Sequence, residues 1–333
     1  LLLWAGALDH PLGVIGMIIT IITWLGYAVL QIRSWQTKRV MADALEEAGV
    51  DARGFAEVEP GLVALGYPYR VPPHLERVED IEYAPGLHLD VYRRIDAPGP
   101  GPALLQVHGG SWTGGHRRQQ ARPLLHRMAA KGWTSVAVSY PLAPEAVFPE
   151  QLIALKRAVC WVRDEGPDHG IDPSFIAVTG GSAGGHLAAL VALTSGDARY
   201  QPGFEDADTS VQAAATLYGV YDFLNRHQVR EDWWGIFRRL MGAHPNEAEE
   251  RYREASPLDR VGADAPPFFV IHGTHDGLVP AAESQLFVDA LRGVSRRPVL
   301  YAEVPGANHG FDVVHSFRTH NVASPITRFL EAA

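Results

Sequence analysis

The stretch Ile176-Ala-Val-Thr-Gly-Gly-Ser-Ala-Gly-Gly-His186 constrains this chain more than any other. A short apolar run bounded by glycines reads as a buried strand, and His186 to Leu193 reads as a helix. Ser182 stands in the turn between them, with Gly180 and Gly184 two places either side. That G-x-S-x-G spacing suits a strand-to-helix turn so sharp that the serine backbone is strained. Larger residues at the two glycine positions would strike the neighbouring strand and helix. Such a turn exposes the serine hydroxyl at the top of a sheet and aims the free N–H groups of the helix start at a reacting oxygen.

The rest of the chain supplies the sheet. Val78 to Ala84 and Leu87 to Arg93 alternate apolar and polar residues around Pro85-Gly86, as the strands of a hairpin do. Short apolar runs then follow at 103–107, 133–138, 176–178, 213–217, 268–271 and 298–304, and helical patterns fill 119–131, 149–165, 183–194 and 281–292. Regular alternation of this kind predicts an α/β fold with a mostly parallel sheet covered by helices on both faces. Sites in such sheets lie beyond the carboxyl ends of the strands. The gap from about 223 to 259 is too long for a simple crossover and is read as a cap over the site, with Trp233, Trp234 and Phe237 as substrate contacts. The alternative is that these aromatic residues are ordinary core.

Serine is a weak nucleophile and needs a base, which in turn needs an orienting group. Of the fifteen histidines, His309 is favoured because Gly306-Ala-Asn-His-Gly-Phe311 follows the last strand on a short, glycine-flanked loop. His186 is too close to the serine, and His315 and His320 fall in the terminal helical region. The acid is expected between serine and histidine in chain order. Asp276, in the loop after the strand 268–271, meets that expectation; Asp222 is the alternative, and Asp312 is too near His309. The run His108-Gly109-Gly110-Ser111-Trp112 follows the strand 103–107, where glycines let the backbone turn its N–H groups toward a substrate oxyanion. The expected donors are the N–H groups of Gly110, Ser111 and Ala183, with Gly109 making the turn and Trp112 beside the substrate.

These motifs resemble the α/β-hydrolases, and among them the hormone-sensitive-lipase-like carboxylesterases. The resemblance runs from about Leu87 to the C-terminus through HGGSW at 108–112, Tyr140-Pro-Leu-Ala-Pro-Glu145 with Phe148-Pro149, GGSAGGH at 180–186, HDGLVP at 275–280 and NHGF at 308–311. It implies an eight-stranded α/β-hydrolase fold with a helical cap and hydrolysis of short to medium acyl esters without a metal or other cofactor. Two positions depart from the family pattern: Ser111 replaces the third glycine of its usual HGGG, and Gly181 replaces the acid of its common G-D-S-A-G turn. The HGG-x-W form is also similar to kynurenine formamidases, so an amide hydrolase is the nearest alternative function. A non-catalytic binding module on the same fold is a further one, opposed by the complete Ser182, Asp276 and His309 set.

Composition narrows the partners. A net charge of −9 gives nucleic acid no footing, and 47% hydrophobic residues in 333 supply a large core. The lone Cys160 excludes an intrachain disulfide and a cysteine-based metal site. Leu12 to Leu30 is uncharged and close to the roughly twenty residues that cross a bilayer. Trp24 and Tyr27 suit an interfacial belt, and Arg33, Lys38 and Arg39 follow at once, a flank that favours a cytoplasmic placement of what comes next. A signal peptide and a buried soluble helix are the rival readings. The expected organisation is a membrane-anchoring segment at 1–33, a connector or cap part at 34–75, and a hydrolase domain at 76–333. Because the chain starts at Leu rather than Met, Leu1 to Leu8 reads as the tail of an earlier apolar span. A lipid-derived or other small-molecule ester is the expected substrate.

Overall fold

Leu105 and Val107 point to one side of their strand and Leu104 to the other, and all are fully buried, so this strand needs cover on both faces. The computed structural model, which describes residues 6–52 and 70–333, provides it. The strands are β1 (Leu75–Ala84), β2 (Leu87–Arg94), β3 (Gly101–Val107), β4 (Thr134–Val138), β5 (Ile171–Gly181), β6 (Ala213–Leu217), β7 (Phe268–Gly273) and β8 (Val299–Val304). They form one eight-stranded sheet in the order β1-β2-β4-β3-β5-β6-β7-β8. β2 alone runs antiparallel, to both of its neighbours β1 and β4, and β3 to β8 are mutually parallel. This is the α/β-hydrolase architecture expected from the sequence.

The α-helices among the described residues are α1 (Pro11–Glu47), α2 (Arg122–Ala130), α3 (Glu150–Asp164), α4 (Ala183–Leu193), α5 (Trp234–Met241), α6 (Pro245–Glu254), α7 (Ala281–Val294) and α8 (Phe317–Ala332). Leu155 of α3, Leu187 and Leu190 of α4 and Phe287 of α7 pack on one face of the sheet with Leu105 and Val107. Met41 and Leu45 of α1, Leu125 and Met128 of α2, and Ile326 and Phe329 of α8 pack on the other with Leu104.

The strand order positions the site. Although β4 lies between them in sequence, β3 and β5 are neighbours, and Val107 pairs with Gly180. The loops after Val107 and Gly181 therefore leave the same edge side by side. Loops after β7 and β8 emerge at that edge too, and α5 and α6 fill the gap between β6 and β7 where a cap was expected.

α1 is one unbroken helix of 37 residues. From Leu12 to Leu30 its side chains are exposed apart from half-buried Gly13, and this run is long and apolar enough to cross a membrane. Burial starts at Ser34 and recurs at Thr37, Met41, Ala44 and Leu45, the helical spacing of a face laid on α8 and β8. Burying Met41 and Leu45 contributes roughly 1.5–3 kcal/mol each. Residue 33 thus falls in mid-helix, and 34–47 is bound to the domain body. Residues 53–69, with Pro60, Gly66 and Pro68 of the expected connector, lie outside the described residues, as do Leu1 to Ala5.

Candidate active site

Ser182 sits between β5 and α4 with φ 58° and ψ −124°, a backbone conformation that non-glycine residues rarely adopt. The glycines around it permit this. A Cβ at Gly180 would lie 2.4 Å from the Gly184 carbonyl oxygen, and one at Gly184 would lie 2.1 Å from the Val107 oxygen. Both obstacles are backbone, which cannot swing aside. Gly184→Ala should therefore push α4 off β3, lowering the melting temperature and cutting esterase kcat by about a hundredfold or more, the usual consequence of a displacement near 1 Å. Normal melting with normal kcat would refute the steric argument.

The Ser182 hydroxyl lies 2.9 Å from His309 Nε2. His309 Nδ1 lies 2.8 Å from Asp276 Oδ2. The other carboxylate oxygen accepts the N–H groups of Leu278 and Val279 at 2.9 and 2.8 Å. Burial alone would raise the Asp276 carboxyl, but hydrogen bonds from His272 and His309 and the Val279 N–H override it and hold it well below the usual carboxylate range. A hydroxyl bonded to one imidazole nitrogen, with the other nitrogen held by a fixed anion, can pass its proton to the ring as it attacks a carbonyl.

The loop after β3 has three successive residues at positive φ: Gly110 at 131°, Ser111 at 53° and Trp112 at 60°. The Gly109 N–H donates to Gln120 Oε1 at 2.6 Å, so it is not free for a substrate. Among the described residues, no protein acceptor takes the Gly110 and Ser111 N–H groups. Ala183 opens α4, where an N–H has no intrahelical partner. Gly109 lies so close to the turn that a Cβ there would be 3.2 Å from the Ser182 Cβ. Behind the loop, His108 stacks on Tyr140 at 4.4 Å, and burial lowers the imidazole to about 4. Farther along, Arg117 and Arg118 both pair with buried Asp90 and with Asp80, pinning the end of the loop to the β1–β2 hairpin.

The expected substrate-contacting aromatics fall into one cluster. Trp112 and Phe237 are buried and join His186 and Phe223, with centroids 4.5–5.8 Å apart. Trp112 Nε1 donates to His186 Nδ1 at 3.0 Å, and His186 Nε2 donates to the Ala255 carbonyl at 2.7 Å. Burial keeps this histidine neutral by lowering it to about 3. Half-exposed Trp233 and Trp234 cover the cluster. Burial therefore makes Trp112 and Phe237 supports of the cap and leaves Trp233 and Trp234 as the members with open surface.

The BD-FAE family model matches residues 89–291, a span that holds Ser182, the HGGSW loop and Asp276. The chain belongs to the BD-FAE family. It is 40% identical to the probable carboxylic ester hydrolase LipM of Mycobacterium tuberculosis, over 99% of this chain and 80% of that protein. It is 44% identical to the esterase LipQ of the same organism, over 80% of this chain and 65% of that protein. Among solved structures, the butyrate-bound esterase Est2 of Thermogutta terrifontis matches with a TM-score of 0.62 and 26% identity, over 79% of this chain and 95% of that one. This BD-FAE chain is an ester hydrolase.

Several groups around the BD-FAE site were not singled out from sequence. His272, at the end of β7, places Nε2 3.2 Å from Asp276 Oδ2 and 2.8 Å from the Val279 carbonyl, while Ser284 Oγ lies 2.7 Å from its Nδ1. Its position four residues before Asp276 was the available signal. Tyr218 lies under His309 at 4.7 Å and donates its hydroxyl to Asp312. Burial, aided by the Asp312 charge, pushes this phenol well above its ordinary 10.0, so it stays a donor. The same tyrosine accounts for the glycine at 181: a Cβ there would lie 2.5 Å from the Tyr218 hydroxyl. Asp222, the alternative acid, is bonded instead to Arg226 and the Leu224 N–H. The resemblance drawn from the motifs is borne out in family and in fold.

Proposed function

We propose that this protein is a membrane-anchored serine carboxylesterase acting on short to medium acyl esters. The observation that carries the proposal is the unbroken series Ser182 Oγ to His309 Nε2 at 2.9 Å and His309 Nδ1 to Asp276 Oδ2 at 2.8 Å, on a strained turn. His309 takes the Ser182 proton as the hydroxyl attacks the ester carbonyl. The N–H groups of Gly110, Ser111 and Ala183 receive the oxyanion, and removing one such donor elsewhere costs roughly 3–4 kcal/mol of barrier. His309 then gives the proton to the leaving alcohol, which departs and leaves an acyl-enzyme on Ser182. Water, deprotonated by His309, attacks that acyl group; the carboxylic acid leaves and the serine recovers its proton. Asp276 holds the ring in the tautomer that accepts from serine and stabilises the imidazolium between steps.

The half-exposed Trp233 and Trp234 would contact the acyl group, consistent with the short acid bound to the related Est2. Residues 12–30 would cross the membrane, with 1–33 as the anchoring segment, the basic flank on the cytoplasmic side, and 76–333 as the hydrolase domain with its cap at 223–259. Paired rates on an ester and its N-formyl amide counterpart test the reaction class. The expected result is ester turnover well above amide turnover; the reverse ranking would make it an amidase of formamidase type.

A further inference from the structure

The exposed half of α1 leaves the body at the edge that carries the site. Arg33 Nη1 lies 2.9 Å from Nε2 of His275, the residue before Asp276. The Arg33 side chain also covers Gly306, three residues before His309, so closely that a Cβ there would be 2.7 Å from Arg33 Cδ. At the next residue, the Asn321 amide of α8 donates to the Ser34 carbonyl at 3.4 Å. Ala44, Glu47 and Ala48 flank Pro298, Val299 and Leu300 at the start of β8. The helix therefore runs antiparallel to β8, and its apolar half projects beyond the carboxyl ends of β7 and β8. Leu30 is three residues from Arg33, about 4.5 Å along the axis.

The same edge carries exposed apolar side chains. Leu278 is 49% exposed on the loop after Asp276, Val314 55% on the loop after His309, and Phe317 49% at the start of α8. Arg33, Lys38 and Arg39, next to the apolar run, would stand at headgroup depth. Ile95 and Val294 are comparably exposed at the opposite edge, where β2 ends beside the start of β4 and where α7 ends.

We propose that this edge is a bilayer-docking surface: Leu278, Val314 and Phe317 enter the interfacial layer of the membrane that α1 crosses, and the mouth at Ser182 opens toward the lipid. The substrate class is then an amphiphilic ester whose apolar part resides in the bilayer and whose ester group reaches the site from the headgroup layer. The proposal rests on the reading of residues 12–30 as a membrane anchor and adds the orientation of the catalytic body.

The test uses the full chain in vesicles of equal parts phosphatidylcholine and phosphatidylglycerol. In a Cys160→Ala background, single replacements Leu278→Cys, Val314→Cys and Phe317→Cys carry a nitrobenzoxadiazole label, and so do Ile95→Cys, Val294→Cys and, within the helix, Val29→Cys. Doxyl lipids should quench the label at 278, 314, 317 and 29 and leave it unquenched at 95 and 294. If the protein floats with the vesicles and position 29 is quenched, but 278, 314 and 317 behave like 95 and 294, the docking surface is refuted and the anchor stands. If position 29 is also unquenched and the protein does not float, the anchor reading falls and the proposal with it. As a second readout, Val314→Ser with Phe317→Ser should lower the rate on a vesicle-borne ester severalfold and leave p-nitrophenyl acetate hydrolysis unchanged; a vesicle-borne rate equal to wild type, or the same proportional loss on both substrates, would overturn the proposal.

Discussion

Asp276→Asn should lower kcat on an ester by about ten-thousandfold, through loss of the ring tautomer that serves the serine. An asparagine amide can offer its oxygen to the His309 Nδ1–H only by presenting its NH2 where Oδ1 now accepts Leu278 and Val279 N–H. Either orientation leaves a donor facing a donor. The measurement is kcat beside circular dichroism, and less than tenfold loss in a folded variant would remove Asp276 from the account. The same carboxylate is linked to acid stability. Its folded-state value is depressed, so its contribution is present above the unfolded value of about 3.9 and is lost as pH falls through it toward the folded value. Wild type should thus lose stability more steeply than Asp276→Asn as pH drops from neutral to about 3. Parallel pH profiles would contradict this linkage.

Arg230→Met should destabilise the protein by about 3–5 kcal/mol, because it leaves a buried carboxylate without its cation. Arg230 Nε lies 2.7 Å from Glu283 Oε1, and both side chains are essentially inaccessible, at 0% and 1% exposure. Glu283 Oε2 accepts the Tyr221 and Asp222 N–H groups at 3.0 and 3.1 Å, and Arg230 Nη2 donates to the Asp222 carbonyl at 2.6 Å. The guanidinium also stands 5.1 Å from the Trp233 ring and 4.8 Å from the Phe237 ring. One ion pair thus ties α7 to the segment after β6 and to the first cap helix. Adding Glu283→Gln should restore part of the loss, since the amide keeps an acceptor for the backbone N–H groups and removes the stranded charge. Urea unfolding of both variants decides it; a cost below about 1 kcal/mol for Arg230→Met, the level of an exposed pair, would mean that the pair is not a structural clamp.

What could be read from the sequence was what local sterics and chain order dictate. The glycines at 180 and 184 imply backbone crowding from their spacing alone, and the structure supplies the obstructing atoms, Gly184 O and Val107 O. The loops carrying Asp276 and His309 were legible because each follows an apolar strand and is marked by glycine. Polar pairs made across the fold were not legible. His272 with Asp276, Tyr218 with Asp312, Gln120 with Gly109 and Arg230 with Glu283 depend on strand order and on the path of loops. No periodicity encodes such contacts. Aromatic residues in the cap were legible as a group but not by depth: Phe237 is fully buried while Trp233, four residues earlier, is partly open. The expectation of a connector or cap part at 34–75 gave no hint that 34–45 docks on β8 and α8, a placement set by tertiary packing.

Catalysis by Ser182 is tested most directly by hydrolysis of p-nitrophenyl esters from acetate to palmitate by the full chain in detergent, beside Ser182→Ala, with intact mass recorded after fluorophosphonate treatment. The expected result is turnover that peaks at short or medium chains, a kcat lower by about a million-fold in Ser182→Ala, and a phosphonyl adduct on wild type alone. Undiminished turnover or an unchanged adduct in Ser182→Ala would contradict it.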